Sequence, residues 1–198
     1  MMHGLIKRLI DIAGSLLLLV IFSPFMLIIA VLIMIDTEGG VFYSHRRCGK
    51  NGMDFIMYKF RTMVKNADSI KSELVSEVDG PVFKVKNDPR ITRAGRFLRK
   101  WSIDEFPQLF NVLIGDMSLV GPRPLESKEM VGDENWKTVR LRIKPGLTGL
   151  WQIKGRDTCR FTDWVKYDIE YVENQSLLLD LKILLLTVGA VLRRKGSC

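Results

Sequence analysis

The chain has 198 residues, 47% of them hydrophobic, which allows one domain with a proper core and excludes a wholly disordered chain. Thirty Lys and Arg against 22 Asp and Glu give a net charge of +8, which predicts an acidic partner such as anionic lipid, a phosphorylated substrate or nucleic acid. Three scattered cysteines and two histidines argue against a disulfide framework, a zinc site and a Ser-His-Asp mechanism, so carboxylates are the expected catalytic groups.

The first predicted element is an apolar segment near the N-terminus. Residues 12–35 contain no charged side chain, and ~20 apolar residues are enough for a helix to cross the hydrocarbon core of a membrane. A cleaved signal peptide is the alternative, but its apolar region would have only ~7–15 residues and end at small residues. The longer segment seen here, which ends in IDTEGG, therefore predicts a membrane helix.

Ser23 and Pro24 lie at the middle of this segment. Proline lacks a helical N–H and clashes with the preceding turn, so a kink is expected, and the neighbouring serine can bond a freed carbonyl. Basic residues flank both ends: Lys7 and Arg8 before the segment, and His45, Arg46, Arg47 and Lys50 after it. Because basic flanks favour the cytoplasmic side, the pattern favours a re-entrant hairpin with Ser23-Pro24 at its apex over a kinked spanning helix, which is the alternative.

Three further elements precede residue 101. Residues 41–47 and 54–60 are β-rich and are separated by Asn51-Gly52, a tight-turn signal, so a β-hairpin is predicted. Residues 63–80 have the spacing of a solvated surface helix that ends at Gly80-Pro81. Residues 92–100 predict a short basic helix in which Arg93, Arg96 and either Arg99 or Lys100 share a face.

Residues 102–108, SIDEFPQ, place two adjacent carboxylates directly after this basic run. Ser102 and Glu105 have the spacing of a capping box, which predicts a helix that begins at Ser102 and ends at Gly115. Asp104 would occupy the second helical position, where the helix dipole favours negative charge and where phosphate also binds. The helix N-terminus is therefore expected to keep Asp104 ionised.

The rest of the chain predicts a helix that ends near Ile143, a turn at Pro145-Gly146, a strand over residues 147–153 and an amphipathic helix over residues 162–173. Residues 176–196 are apolar at helical spacing but contain Asp180 and Lys182, which favours a helix lying at a membrane interface. We predict three parts: a membrane helix in residues 1–36, a catalytic domain in 37–175, and an interfacial helix with a basic tail in 176–198.

Phosphate chemistry is the activity that the polar residues permit. The sequence contains neither a Walker loop nor a G-x-G-x-x-G fingerprint, so a nucleotide would be held by arginines and helix ends. Candidate cations are Lys59 and Arg61, for which an exposed strand end is the alternative, Arg99, and Arg123 between two prolines. Asp104 is the candidate nucleophile towards phosphorus. Glu105 would hold a metal or handle protons, and Mg²⁺ is the expected ion because all the candidate ligands are hard oxygens.

Five blocks of sequence resemble the bacterial sugar transferases, that is, the monotopic polyprenyl-phosphate phosphoglycosyl transferases. The blocks are KRLIDIAGSLLLLVIFSP, MYKFRTM, SIDEFPQLFNVLIGDMSLVGPRP, KPGLTGLWQIKGR and DLKILLLTV; they stand in the family's order and cover almost the whole chain. Arg156 closes the fourth block and joins the substrate-binding candidates. The resemblance implies an α+β, predominantly helical monotopic membrane protein with a re-entrant helix, a small β-hairpin and interfacial amphipathic helices.

The resemblance also implies a reaction. In this family the aspartate that matches Asp104 attacks the β-phosphorus of a UDP-sugar, UMP leaves, and polyprenyl phosphate then takes the phosphosugar from the enzyme. The implied cofactor is Mg²⁺ at Asp104 and Glu105. The implied partners are a UDP-sugar, a polyprenyl phosphate such as undecaprenyl phosphate, and membrane lipids, with no nucleic acid; a homo-oligomer is compatible. The implied location is the cytoplasmic face of the bacterial inner membrane.

Many relatives carry additional transmembrane helices ahead of this unit, so the chain resembles the short form or an excised catalytic unit. Residues 81–100 resemble members that transfer hexose-1-phosphate for exopolysaccharide or O-antigen assembly. Two other classes stay open: a glycosyltransferase that releases UDP while acting on a lipid acceptor, and a non-enzymatic basic membrane adaptor. The released nucleotide separates the two enzymes, and an Asp104→Asn change separates an enzyme from an adaptor.

Overall fold

The computed structural model describes residues 2–77, 83, 85, 87–130, 134–154 and 160–193. Helix α1, Met2–Asp36, precedes strands β1, Phe42–Cys48, and β2, Asp54–Phe60. The later elements are α2 Ala67–Lys71, α3 Arg93–Lys100, α4 Gln108–Ile114, β3 Ser118–Val120, α5 Glu134–Arg140, β4 Gly146–Thr148, α6 Leu150–Lys154, α7 Phe161–Glu173 and α8 Leu177–Leu192. The predicted class is confirmed as a mostly helical fold with a long apolar N-terminal helix and small sheets.

Helix α1 continues through Pro24 without interruption. Pro24 cannot donate to the carbonyl of Val20, one turn earlier, and the Ser23 hydroxyl donates to that carbonyl instead, at 2.9 Å. The expected rescue of a freed carbonyl by serine is therefore confirmed, whereas α1 is one helix and not the two predicted arms. By length and composition Gly4–Asp36 could cross a membrane; its re-entrant course stays a prediction.

Both ends of α1 are attached to the same globular unit. Near the N-terminus, the Arg8 guanidinium donates to the carbonyl of Val112 in α4 at 2.6 Å. Near the C-terminus, Ile33 is buried, and the Asp36 carboxylate accepts from the N–H of Ala94 at the start of α3, at 2.9 Å. The globular unit therefore holds the two ends of the apolar helix on one body.

Much of the apolar surface of α1 and α8 is exposed. On α1 the exposed large side chains include Leu9, Ile10, Leu16, Leu17, Val20, Ile21, Phe25, Leu27, Ile28, Val31 and Leu32. On α8 they are Leu178, Leu181, Leu185, Leu186, Val188 and Leu192. Apolar patches of this extent on a folded protein mark contact with a membrane or a partner.

Strands β1 and β2 form the predicted antiparallel hairpin, with Tyr43 opposite Lys59. Asn51 and Gly52 in its turn have φ values of 57° and 75°, the left-handed conformation that Asn-Gly adopts at low cost. The hairpin prediction is confirmed, with β1 displaced by one residue from the predicted range.

Asn111 of α4 is fully buried and joins that helix to the edge of β2. Its side-chain amide donates to the carbonyl of Ile56 at 2.7 Å, and its oxygen accepts from the N–H of Tyr58 at 3.1 Å. One side chain thus satisfies two groups of an edge strand. The contact places the helix that follows the acidic pair against the strand that carries Lys59.

Strands β3 and β4 form a second, parallel pair in which Ser118 lies opposite Gly146 and Val120 opposite Thr148. Gly146 permits this close approach, because a Cβ there would lie 2.0 Å from the backbone nitrogen of Gly121. The strand predicted over residues 147–153 is correct only as far as Thr148, and the chain then forms α6. Strand β3 was not predicted, since three residues are too few to show a periodic pattern.

The helices predicted over residues 92–100 and 162–173 are confirmed as α3 and α7. The predicted boundaries of two other helices, α2 and α5, are wrong. The prediction of a surface helix over residues 63–80 extends beyond the described residues, which stop at 77. Within residues 63–77 the helix covers only Ala67–Lys71, with no buried residue; a helix without tertiary packing is marginal in water. Helix α5 ends at Arg140 rather than near Ile143.

The core consists of two clusters of buried side chains. The larger contains Leu19, Phe55, Met57, Leu109, Val112, Met117, Leu119, Val120, Leu150, Tyr171 and Ile183. The smaller contains Ile29, Ile33, Phe60 and Leu98. Strand β2 contributes to both, so Lys59, between Met57 and Phe60, lies where the two clusters meet.

Candidate active site

The two adjacent carboxylates lie on a single 3₁₀ turn, Ile103–Glu105, between α3 and α4. The predicted capping box is wrong: Ser102 has a φ of 56°, its side chain makes no capping bond, and α4 begins only at Gln108. The preceding helix, α3, ends at Lys100 with Trp101 as its C-cap, and a left-handed residue directly after the C-cap is a common way to end a helix. Ser102 therefore ends α3 rather than starting α4.

Lys59, near the end of β2, reaches both carboxylates. Its ammonium nitrogen lies 2.8 Å from Glu105 Oε1 and 3.9 Å from Asp104 Oδ2. The strand and the 3₁₀ turn are thus joined by one cation shared between two neighbouring acids. The structure brings three sequence-predicted site residues together here.

Asp104 is 8% exposed. Burial raises the pKa of its carboxyl, the charge of Lys59 opposes that rise, and the nearby charge of Glu105 adds to it. The sequence had predicted an ionised Asp104 at a helix N-terminus, but the turn is only three residues long, and the net direction of the pKa shift is upward. Cations, rather than a helix dipole, favour the charged form.

Arg123 approaches Glu105 from the other side. Its guanidinium nitrogen lies 3.7 Å from Glu105 Oε1, and the group stands over the ring of Trp151, 5.7 Å from the ring centroid. The backbone around Arg123 is held on both sides, because the carbonyl of Pro122 accepts from Gly146 at 2.8 Å and that of Leu125 accepts from Cys48 at 2.9 Å. The predicted restraint by flanking prolines is therefore reinforced by neighbouring strands.

Sequence reasoning missed Arg47 as a site residue. It lies on β1 and donates to Glu129 Oε2 at 2.7 Å, while Glu126 Oε1 is 3.6 Å away. Glu126 and Glu129 form a capping box of their own around a short 3₁₀ helix. Their E-x-x-E spacing was the available signal, but nothing in the sequence links it to β1.

A small pocket, open to solvent, lies beside Glu105. Its lining comprises Arg47, Met57, Lys59, Glu105, Gln108, Arg123, Pro124, Gly146, Leu147 and Gln152. Three of these side chains are cationic, and the pocket is therefore suited to an anionic group such as a diphosphate. Asp104 is not part of this lining and lies behind Lys59.

The remaining predicted cations are placed differently. Arg99 donates to the Thr62 hydroxyl at 2.8 Å, and its charge lowers the pKa of Asp104. Arg61 donates to the carbonyls of Thr37 and Glu38 at 2.8 and 2.7 Å, so its guanidinium holds the end of α1. Arg156 lies outside the described residues.

The metal prediction concerns Asp104 and Glu105. Within the described ranges, no three or more His, Cys, Asp or Glu side chains come together as a metal site. Magnesium is commonly bound by one or two carboxylates together with substrate phosphates and water. The pair fits Mg²⁺ as part of a ligand set that a phosphorylated substrate completes, and this use stays a prediction.

The model of the family described as bacterial sugar transferase matches residues 2–194. This chain belongs to the bacterial sugar transferase family. The match includes α1, the acidic turn, the arginine between two prolines and α8, so it covers every part of the site described above.

Individual bacterial sugar transferases are similar along nearly the whole chain. The exopolysaccharide production protein ExoY of Rhizobium meliloti is 42% identical over 98% of this chain and 88% of its own length. The undecaprenyl-phosphate galactose phosphotransferase of Salmonella typhimurium is 45% identical over 97% of this chain and 41% of its own length. The galactosyl transferase CpsE of Streptococcus agalactiae is 43% identical over 98% of this chain and 44% of its own length. The chain thus spans less than half of the latter two relatives.

Proposed function

We propose that this chain transfers a sugar-1-phosphate from a UDP-sugar to a polyprenyl phosphate such as undecaprenyl phosphate, and releases UMP. The donor in this proposal is a UDP-hexose. The observation that carries the proposal is a buried aspartate, Asp104, beside Glu105 and between the charges of Lys59, Arg99 and Arg123. A relative named undecaprenyl-phosphate galactose phosphotransferase supports this choice of reaction. The reaction would be an early membrane step of polysaccharide or glycoconjugate assembly.

In the first half-reaction, a carboxylate oxygen of Asp104 attacks the β-phosphorus of the donor. A new O–P bond forms, the bond between the β-phosphorus and the bridging oxygen breaks, and UMP departs with the electron pair. Lys59 and Arg123 hold the diphosphate charge, and their fixed positions lessen the reorganisation needed as charge shifts to UMP. The product is a phosphosugar bound to Asp104 as an acyl-phosphate.

In the second half-reaction, a phosphate oxygen of the polyprenyl phosphate attacks the same phosphorus. The bond to Asp104 breaks, its electron pair returns to the carboxylate, and a polyprenyl-diphosphate sugar is formed. Since the attacking phosphate is already anionic, this step needs no strong base. Glu105 binds the Lys59 ammonium. It thereby keeps that cation beside UMP, which leaves in the first half-reaction, and beside the Asp104 carboxylate, which leaves in the second.

Mg²⁺ would be held by Asp104 and Glu105, where it would neutralise charge on the donor diphosphate. The two carboxylates are of the right chemical type for this ion. Phosphate oxygens of the donor would complete its ligand set.

The proposed location is the cytoplasmic face of the bacterial inner membrane, with α1 re-entrant. Two ends fixed to one globular unit, at Arg8 and at Asp36, are difficult to place on opposite sides of a bilayer. The exposed apolar faces of α1 and α8 would contact lipid. A long-chain acceptor that is itself dissolved in the membrane would then approach Asp104 from the lipid side.

Intact-mass spectrometry tests the covalent step directly. Protein incubated with a UDP-hexose and Mg²⁺, without acceptor, is expected to gain the mass of one hexose phosphate, and Asp104→Asn protein is expected to gain none. Asp54→Asn, the same change at an exposed aspartate of β2 outside the pocket, is the matched control and is expected to gain this mass. An active enzyme that never carries this mass contradicts the mechanism.

The nucleotide product tests the transfer itself. UMP is expected when a panel of UDP-sugars is supplied with undecaprenyl phosphate. Release of UDP would instead identify a glycosyltransferase that passes on the sugar alone. An Asp104→Asn variant with normal physiological effect would identify an adaptor without catalysis.

A further inference from the structure

Two glutamines line the pocket beside Glu105 and have no assigned role. Gln108 is the first residue of α4 and is 2% exposed. Gln152 lies on α6 and lines the same pocket as Arg123. Both reach the same cavity as Lys59, although α4 and α6 come from different parts of the chain.

Each glutamine presents one buried polar atom without a partner. Among the described residues, Gln108 Nε2 and Gln152 Oε1 are inaccessible to solvent and accept or donate no hydrogen bond. An unsatisfied buried group of this kind destabilises the fold, so an apolar side chain of similar size would stabilise the fold better. A ligand group that satisfies both atoms would offset this cost.

The two atoms require a particular ligand chemistry. Gln108 Nε2 is a donor and Gln152 Oε1 is an acceptor. A phosphate oxygen can only accept, so it matches the first atom and is repelled by the second. A hydroxyl or the imide edge of a pyrimidine both donates and accepts, and therefore matches both. The neighbouring Lys59 and Arg123 are the groups suited to phosphate.

We propose that Gln108 and Gln152 form a subsite for an uncharged, hydrogen-bonding part of the donor, next to the diphosphate held by Lys59 and Arg123. This inference rests on the proposed function for the identity of the donor. The group that they bind is either a hydroxyl of the sugar or a group of the nucleoside, and both share the required chemistry. The pair would determine which donors bind productively.

Gln108→Met and Gln152→Met each remove one hydrogen-bonding group and keep the side-chain length. Gln175→Met, which makes the same change between α7 and α8, is the matched control. Because the atoms removed are buried and unsatisfied, the melting temperature of both pocket variants is expected to equal or exceed the wild-type value. If Gln108→Met fails to fold, Gln108→Glu removes the same donor and keeps an acceptor oxygen.

The readout is equilibrium binding of UMP and of a panel of UDP-hexoses to the full chain in lipid nanoparticles, beside kcat/KM for UMP release. We expect each pocket variant to weaken UDP-hexose binding by about tenfold, which corresponds to one hydrogen bond of about 1.4 kcal/mol. A parallel loss of UMP binding assigns the subsite to the nucleoside. Unchanged UMP binding with an altered preference among UDP-hexoses assigns it to the sugar.

Donor and UMP binding within twofold of wild type in both variants would overturn the subsite. Failure of the proposed function has a different signature, because wild-type protein would then release no UMP from any donor. In that event the binding measurements alone decide on the subsite: variants that still weaken the nucleotide support it, and variants without effect refute it.

Discussion

Arg140 donates a hydrogen bond from its guanidinium to the backbone carbonyl of Arg123, the residue whose side chain reaches Glu105. The same guanidinium lies 3.5 Å from the buried carboxylate of Asp168 on α7. Helices α5 and α7 therefore support the arginine that faces the pocket, although neither contributes a side chain to its lining. This arrangement makes Arg140 a positioning residue.

Arg140→Met is expected to destabilise the fold because it leaves Asp168 buried without its cation. Breaking a buried ion pair costs about 3–5 kcal/mol, and the cost is expected to be smaller at acid pH, where Asp168 takes up a proton. The double variant Arg140→Met/Asp168→Leu removes the stranded charge and should recover part of the loss. Thermal unfolding of the single and the double variant at neutral pH measures this recovery. Equal melting temperatures of the two variants would contradict the ion pair between Arg140 and Asp168.

The stability of the fold is also expected to depend on pH through Asp168. Burial raises the pKa of this carboxyl from 3.8 to about 6, against the opposing charge of Arg140. A raised pKa means that the folded state favours the protonated form, so this contribution is complete below about pH 4 and is lost as the pH rises through about 6. Asp168→Asn stays neutral throughout. The melting temperature of the wild type relative to this variant should therefore fall between pH 4 and pH 7, and a constant difference would refute the assignment.

Much of the site could be predicted because its chemistry lies in short, uncommon stretches of sequence. The acidic pair and the arginine between prolines stand out by composition alone, and Asn51-Gly52 predicted the hairpin that positions Lys59. Arg47 could not be found in this way. Its place in the pocket depends on the packing of β1 against the chain near Glu129, which are far apart in sequence.

The capping box illustrates a different limit. Ser102 and Glu105 have the spacing of a capping box, but the same serine also follows Trp101, the C-cap of α3. The local sequence does not say whether Ser102 ends α3 or starts α4. The left-handed conformation of Ser102 shows that this residue ends α3 and does not start α4. Consequently Asp104 lies in a tight turn behind Lys59, and its burial, which raises its pKa, could not be foreseen.

Lys59→Met is expected to shift the pH dependence of catalysis. The charge of Lys59 lowers the pKa of Asp104, against the larger effect of burial; without it the pKa rises further, and a higher pH is needed to ionise the nucleophile. The acid limb of the kcat/KM profile should move to higher pH, and each unit of displacement costs about tenfold in rate below the limb.

Lys59→Arg keeps the charge and should retain much of the wild-type acid limb. Lys154→Met is the matched control, because Lys154 lies at the surface, where it pairs with Glu170 at 2.6 Å and stands over the ring of Tyr167. A profile that falls uniformly in Lys59→Met, with no displacement along the pH axis, would show that Lys59 binds substrate without tuning Asp104.

The course of α1 can be tested at its two ends. With Cys48, Cys159 and Cys198 replaced by serine, single cysteines at His3 and at Glu38 report the side of the membrane reached by each end. A re-entrant helix places both on the cytoplasmic face, so a membrane-impermeant thiol reagent should label neither until the inner membrane is permeabilised. A spanning helix would expose one of the two to the periplasm.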